Sequence, residues 1–124
     1  MDYRAEKVIT LMSNNFRRKL TLGALARTVN LSPSRLRHMF KTETGTTPTQ
    51  YLHRLRMSQA KLLLETTYLQ VKEIKSLVGV SGESRFVQDF KRVYGKTPAS
   101  YRRSRNGSGS QVIGPEKWNS HNGT

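Results

Sequence analysis

The sequence predicts an all-α fold: seven helices forming two helix–turn–helix subdomains joined by a long central helix. Three observations predict it. First, Phe40-Lys41-Thr42-Glu43-Thr44-Gly45-Thr46-Thr47-Pro48 is echoed fifty residues later by Phe90-Lys91-Arg92-Val93-Tyr94-Gly95-Lys96-Thr97-Pro98, and Tyr51 and Tyr101 continue the match. Second, three of the four prolines follow Ser or Thr, as Ser32-Pro33, Thr47-Pro48 and Thr97-Pro98. That pairing places a capping hydroxyl before a proline at the first helical position. Third, apolar residues recur at helical spacing throughout, and no stretch shows strand alternation; the one β-branched run, Val78 to Val80, is broken by Gly79.

The first helix is predicted over about 3–14, burying Val8, Ile9 and Met12, with Phe16 just beyond. A second, over about 22–29, buries Leu22, Leu25 and Val29, and a third, over about 33–43, buries Leu36, Met39 and Phe40. Gly45 sits where the third helix would end in a left-handed cap. The fourth is long, over about 48–65, with Tyr51, Leu52, Leu55, Leu62 and Leu63 on one side. A fifth spans about 71–78, and a sixth about 83–94 turns Phe86 and Phe90 inward before Gly95 stops it. The seventh is a short helix from Pro98.

The echo extends backwards. Leu22, Leu25, Val29, Leu31 and Ser32 correspond to Val71, Ile74, Val78, Val80 and Ser81 at an offset of 49, whereas Ser34, Arg35 and Leu36 correspond to Ser84, Arg85 and Phe86 at an offset of 50. One residue is therefore inserted between Ser81 and Ser84. Asn30 and Gly79 fall at matching positions, and both types tolerate positive φ. The predicted organisation is one domain over 1–104: a first helix–turn–helix at about 21–45, the linker helix at about 48–65 and a second helix–turn–helix at about 71–95. From Asn106 the run Asn106-Gly107-Ser108-Gly109-Ser110 is linker-like, so 105–124 reads as a disordered tail, with Trp118 a lone aromatic in a polar stretch.

The chain has 124 residues, with 22 Lys plus Arg against 8 Asp plus Glu, a formal net charge of +14. An excess of this size points to a polyanionic partner, nucleic acid first. A membrane partner is disfavoured: no apolar run approaches the ~18 residues of a spanning helix, and residues 1–6 lack a signal-peptide core. There is no cysteine, which excludes disulfides, a thiol nucleophile and Cys-ligated zinc, and is consistent with a reducing cytoplasm.

A helix, a tight turn and a second helix form the arrangement that presents the second helix to the DNA major groove. That task needs polar side chains on the outward face and cations for phosphate beside them. With Leu36, Met39 and Phe40 inward, the third helix turns Ser34, Arg35, Arg37, His38 and Lys41 outward, the first four as candidates for base contact. Arg37 suits a bidentate contact with guanine, His38 can donate or accept, and Ser34 can touch either base type. In the sixth helix the outward set is Glu83, Ser84, Arg85, Val87, Gln88 and Lys91, with Gln88 able to bond adenine. Glu83 and Asp89 are expected to repel phosphate there, so this half is expected to bind more weakly. Thr47 and Thr97, opening helices with their following amides, are phosphate seats. Lys41, Arg54, Arg56, Lys91, Arg92, Lys96, Arg102 and Arg103 are further phosphate candidates, whereas Arg17, Arg18, Lys19, Lys61 and Lys72 read equally as solubility charges.

Residues 3–104 resemble the DNA-binding domain of the AraC/XylS family of bacterial transcription regulators. The resemblance is carried by Leu31-Ser32-Pro33-Ser34-Arg35-Leu36, by Met39-Phe40-Lys41-x-Glu43-x-Gly45-x-x-Pro48-x-x-Tyr51, and by Ile74-x-x-x-Val78-Gly79-Val80. Its most diagnostic stretch is Ser84-x-Phe86-x-x-x-Phe90-Lys91-x-x-x-Gly95-x-Thr97-Pro98-x-x-Tyr101-Arg102. Lys75 departs from the family's usual small residue, which Ala26 supplies in the first copy, and Val80 stands where phenylalanine is usual. The resemblance implies two readers entering successive major-groove segments on one face of double-stranded DNA, as a monomer. It further implies base contacts by Ser34, Arg37 and His38 and by Ser84, Arg85 and Gln88, RNA polymerase as a second partner, and activation rather than repression of transcription. A helix over 48–65 spans roughly 27 Å, and groove faces on one side of a duplex recur every ~34 Å. A strut of that length suits two readers about one turn apart, with modest DNA bending making up the difference.

An enzyme is not expected. His38, His53 and His121 are scattered, with no carboxylate pair at helical spacing beside them and no Gly-rich phosphate loop, so no catalytic residue, metal or cofactor is assigned. The rival readings are a non-specific basic nucleic-acid-binding protein and a polymerase-interaction module using the same basic faces.

Overall fold

The structure, a computed structural model, describes residues 1–106. Seven helices make up the described chain: α1 (Tyr3–Asn15), α2 (Leu22–Thr28), α3 (Pro33–Thr44), α4 (Pro48–Thr66), α5 (Val71–Leu77), α6 (Glu83–Tyr94) and α7 (Pro98–Asn106). All seven expected helices are present, each within a residue or two of its expected bounds except the seventh. That helix runs on through Arg105 and Asn106, so these two residues close a helix rather than begin a tail. The rest of the expected tail, Trp118 included, lies outside the described residues.

The chain divides into two compact units, residues 1–56 and residue 57 onward, with the division inside α4. In the first unit α3 packs on both α1 and α2. Ala5, Val8, Met12, Phe16, Leu25, Ala26, Val29, Leu36, Phe40 and Leu52 are buried there. Phe40 meets Tyr51 edge-on, ring centroids 5.5 Å apart. In the second unit α6 packs on α5 and α7, and Met57, Ala60, Leu63, Leu64, Ile74, Val78, Phe86 and Phe90 are buried. Phe90 and Tyr101 repeat the aromatic pair at 5.8 Å, in a cluster that adds Phe86 and Tyr94.

The buried set differs from expectation along α4. Leu52 and Leu63 are buried, but Tyr51, Leu55 and Leu62 keep partial exposure, while Met57, Ala60 and Leu64 carry the remaining burial. The reason lies in the division: one helix supplies apolar side chains to two units, so no single stripe runs its length. Ile9, Leu22 and Met39 are likewise part-exposed.

Local chemistry explains the duplicated turns. After α2, Asn30 takes φ 57, Asn30 N–H bonds Arg27 C=O (3.3 Å) and Leu31 N–H bonds Ala26 C=O (3.0 Å). After α5, Gly79 takes φ 81, with equivalent bonds from Gly79 to Ser76 (3.2 Å) and from Val80 to Lys75 (3.1 Å). Both are the paired closure that satisfies a helix's last carbonyls around one left-handed residue. Helices α3 and α6 end alike, with Gly45 and Gly95 left-handed and their N–H groups on Lys41 and Lys91 carbonyls.

The starts of α3 and α6 differ, and the inserted residue is the cause. Ser32 caps α3, its Oγ accepting from Arg35 N–H at 3.2 Å. In the second unit Gly82 takes the capping position at φ 89 and provides no side-chain bond. Glycine here costs only roughly a few tenths of a kcal/mol relative to serine. Its backbone conformation, however, is closed to most other residues.

One part-buried arginine in each unit bonds backbone carbonyls. The half-buried Arg56 guanidinium donates from Nε to Phe16 C=O (2.9 Å) and from Nη2 to Arg18 C=O (2.8 Å), tying α4 to the chain that leaves α1. Arg102 on α7 reaches the carbonyls of Leu63, Leu64, Thr67 and Leu69, closing the C-terminal end of α4. Burial lowers the pKa of both below the ordinary arginine value, yet a guanidinium keeps its charge in a protein. Both were expected on phosphate; here Arg56 engages two backbone carbonyls and Arg102 four.

Candidate nucleic-acid interface

Helix α3 presents one polar, basic face. Leu36 and Phe40 are fully buried, which leaves Ser34, Arg35, Arg37, His38 and Lys41 exposed. None of the four cationic or titratable side chains in that set makes an ion pair among the described residues. A depression of about 400 Å³ runs beside this face, lined by Arg4, Leu31, Ser34, Arg35, His38 and Met39. It brings together three of the four first-unit base candidates; Arg37 is outside it. Arg4 was not anticipated.

Helix α6 repeats the frame with different chemistry. Ser84, Arg85 and Gln88 are exposed beside Glu83 and Lys91, and Val87 is half-buried. Asp89, expected to repel phosphate from the surface, is turned inward: its side chain is only 11% exposed and lies 3.7 Å from Arg85 Nε and 3.5 Å from Arg92 Nη1. The first copy has Met39 at that position, so a buried carboxylate replaces a thioether and is neutralised by two flanking arginines. Arg85 and Arg92 remain 80% and 76% exposed. Such exposed pairs contribute about 0–1 kcal/mol.

The two proline-led helix starts also diverge. Thr47 is buried; its hydroxyl accepts from Gln50 N–H (3.2 Å) and the Gln50 side chain accepts from Thr47 N–H (3.1 Å). This reciprocal box engages Thr47's own N–H and hydroxyl and the Gln50 N–H. Thr97 caps Ser100 N–H at 3.2 Å. Position 100 offers no glutamine to complete the box, and Thr97 N–H has no partner among the described residues.

Of the remaining phosphate candidates, Lys41, Arg54, Lys91, Arg92, Lys96 and Arg103 are exposed. Lys96 Nζ donates to Ser104 Oγ at 3.3 Å, and Lys61, read as a solubility charge, sits 5.4 Å above the Tyr94 ring. Both line a depression of about 340 Å³ with Tyr94, Tyr101, Ser104 and Arg105. The Tyr101 hydroxyl in its wall donates to the Glu65 carboxylate. Burial, then that hydrogen bond, push the Tyr101 phenol up to about 12.

Among the described residues no group of three or more His, Asp or Glu could hold a metal ion, and no helix is long and apolar enough to cross a membrane.

A family model described as a helix-turn-helix domain matches residues 25–104, spanning both helix pairs and the helix between them. The chain belongs to the AraC/XylS family. It is 35% identical over 101 residues to the Escherichia coli DNA-binding dual transcriptional regulator Rns and 34% identical over 101 residues to the Escherichia coli transcriptional activator CfaD. Each match takes in 82% of this chain and 38% of the relative, so the chain spans well under half the length of these regulators. Among solved structures, the DNA-binding domain of AdpA in complex with a target DNA is similar with a TM-score of 0.81 at 26% identity, covering 84% of this chain and 94% of that one. The all-helical architecture of this AraC/XylS chain is therefore shared with domains of its family.

The sequence does not signal Arg4 beside α3, nor the carbonyl bonds of Arg56 and Arg102. Its one local signal for Arg4 is Asp2, two residues earlier, of the type that caps a helix and pairs with a cation in its first turn.

Proposed function

We propose that this chain binds double-stranded DNA in a sequence-specific manner, with α3 and α6 as its two major-groove readers, and serves a bacterial transcription regulator. The carrying observation is the outward face of α3: Ser34, Arg35, Arg37 and His38 are exposed on a rigid helix whose opposite side, Leu36 and Phe40, is fully buried. A solvated basic face needs no such mix of donors and acceptors, whereas base edges do. Ser84, Arg85 and Gln88 are the matching readers on α6. Lys41, Arg54, Lys91, Arg92, Lys96, Thr97 and Arg103 supply phosphate contacts around them.

Activation is supported by the names of relatives such as the activator CfaD and the dual regulator Rns. Action in the cytoplasm, contact with RNA polymerase and a monomeric isolated domain complete the reading. The rival is a non-specific coat on nucleic acid, for which the net charge of +14 is the supporting observation. Selection of bound duplexes from a random pool, followed by salt titration on selected and unrelated duplexes, decides between them. A reader holds a gap of roughly 4–10 kcal/mol for its site; a coat yields no shared motif and loses affinity equally on all sequences.

A further inference from the structure

We infer that Arg4, on α1, is a third specificity-determining residue of the first unit, a guanidinium held by Asp2 beside α3 to read a base edge. This rests on the reading that α3 enters the major groove. Three observations place Arg4 there. It lines the same depression as Ser34, Arg35 and His38. The helix that carries it packs on α3, and Asp2 N–H donates to the Glu43 carboxylate on α3, which anchors the start of α1 to that helix. Its side chain is fixed: Asp2 Oδ1 accepts from Nε at 3.2 Å and Oδ2 from Nη2 at 2.8 Å, while Oδ1 also accepts from Arg4 N–H at 2.9 Å.

The geometry leaves a tool for recognition. Arginine carries about five guanidinium N–H donors, and Asp2 engages one on Nε and one on Nη2. The others have no partner among the described residues. A planar fork clamped along one edge has already given up much of the rotamer freedom that a free arginine loses on binding. Nature of the ligand follows from Asp2. A carboxylate this close disfavours an approaching phosphate and offsets the charge that would release counterions. The O6 and N7 acceptors of guanine are neutral, and they suit the remaining donors. The reader of the first unit is then a composite of α1 and α3.

The test uses this chain and the duplex obtained by selection, with every base pair substituted in turn. Arg4→Ala is expected to lose about 5- to 150-fold on the selected duplex. The loss should be confined to preference at one base pair, distinct from the pair relaxed by Arg37→Ala, with the salt slope unchanged. Arg4→Lys should fail to restore the preference, because an ammonium lacks the fork; it also decides the matter if circular dichroism shows that Arg4→Ala does not fold. Unchanged affinity and preference in Arg4→Lys and any folded Arg4→Ala, with Arg37→Ala still relaxing one position, would overturn the inference and leave the α3 reading intact. Equal weakening on all duplexes, with the salt slope falling by about one, would also overturn it by making Arg4 a phosphate contact. If Arg37→Ala and His38→Ala also relax no position, the α3 reading itself fails.

Discussion

The Tyr101 hydroxyl donates to the Glu65 carboxylate, joining α7 to the C-terminal half of α4 inside the aromatic cluster of the second unit. Burial and Glu65 keep the phenol protonated far above its ordinary value of 10.0, to about 12. A group whose pKa is raised by folding contributes stability that is complete below the unfolded value and disappears as pH passes the folded one. Stability from this pair should therefore persist up to about pH 10 and fall between there and about 12. Phenolate absorbance should show a tyrosine titrating near 12, absent in Tyr101→Phe and moved to lower pH in Glu65→Gln, beside Tyr94, which burial and Glu65 also raise. An identical titration curve in all three proteins would contradict the assignment.

Arg102→Ala should destabilise the fold without acting as the loss of a phosphate contact. The carbonyls of Thr67 and Leu69, just past α4, lose the Arg102 donor, and an acceptor left without a partner costs about 1–3 kcal/mol. Urea denaturation should register that loss. The slope of binding against salt should stay that of the parent, and Arg102→Lys should recover little, since a single ammonium cannot span the carbonyls.

Gly82→Ala should cost about 1–2 kcal/mol although space is available: the nearest heavy atom to an added Cβ is Arg85 Cβ at 3.8 Å. The penalty comes from φ 89. Gly82→Ser should be destabilised as well despite its capping hydroxyl. A melting temperature at or above the parent's for either variant would show that the turn relaxes to another conformation.

For DNA, Arg37→Ala or His38→Ala should each lose about 1–3 kcal/mol on the selected duplex with little change on unrelated duplexes. Lys91→Ala should weaken every duplex and reduce the salt slope by about one. Competition binding at several salt concentrations separates the two behaviours; uniform losses in the first pair would remove them from base contact.

The helices were legible because their punctuation is chemical: hydroxyl–proline starts and glycine stops are spelled out at Ser32, Thr47, Thr97, Gly45 and Gly95. The outward face of α3 followed from the spacing of Leu36 and Phe40. What stayed hidden depends on partners distant in sequence. An arginine in a basic chain is written the same way whether it grips a phosphate or a carbonyl, so the carbonyl bonds of Arg56 and Arg102 are not legible in the sequence. Asp89 could not be recognised as interior until Arg85 and Arg92 were seen on either side of it. Arg4 lies outside the repeat, and only the packing of α1 on α3 brings it to the reader. On α4, one helix serving two units defeats a single-stripe reading.

Because the extra residue falls in the turn at Gly82, α3 and α6 keep the same twelve-residue frame from cap to left-handed glycine. An insertion within either helix would rotate every later side chain by about 100°; one in the turn rotates none. The segments 33–45 and 83–95 thus share one frame, although an exchange between them would also swap buried Leu36 for Phe86 and part-exposed Met39 for buried Asp89.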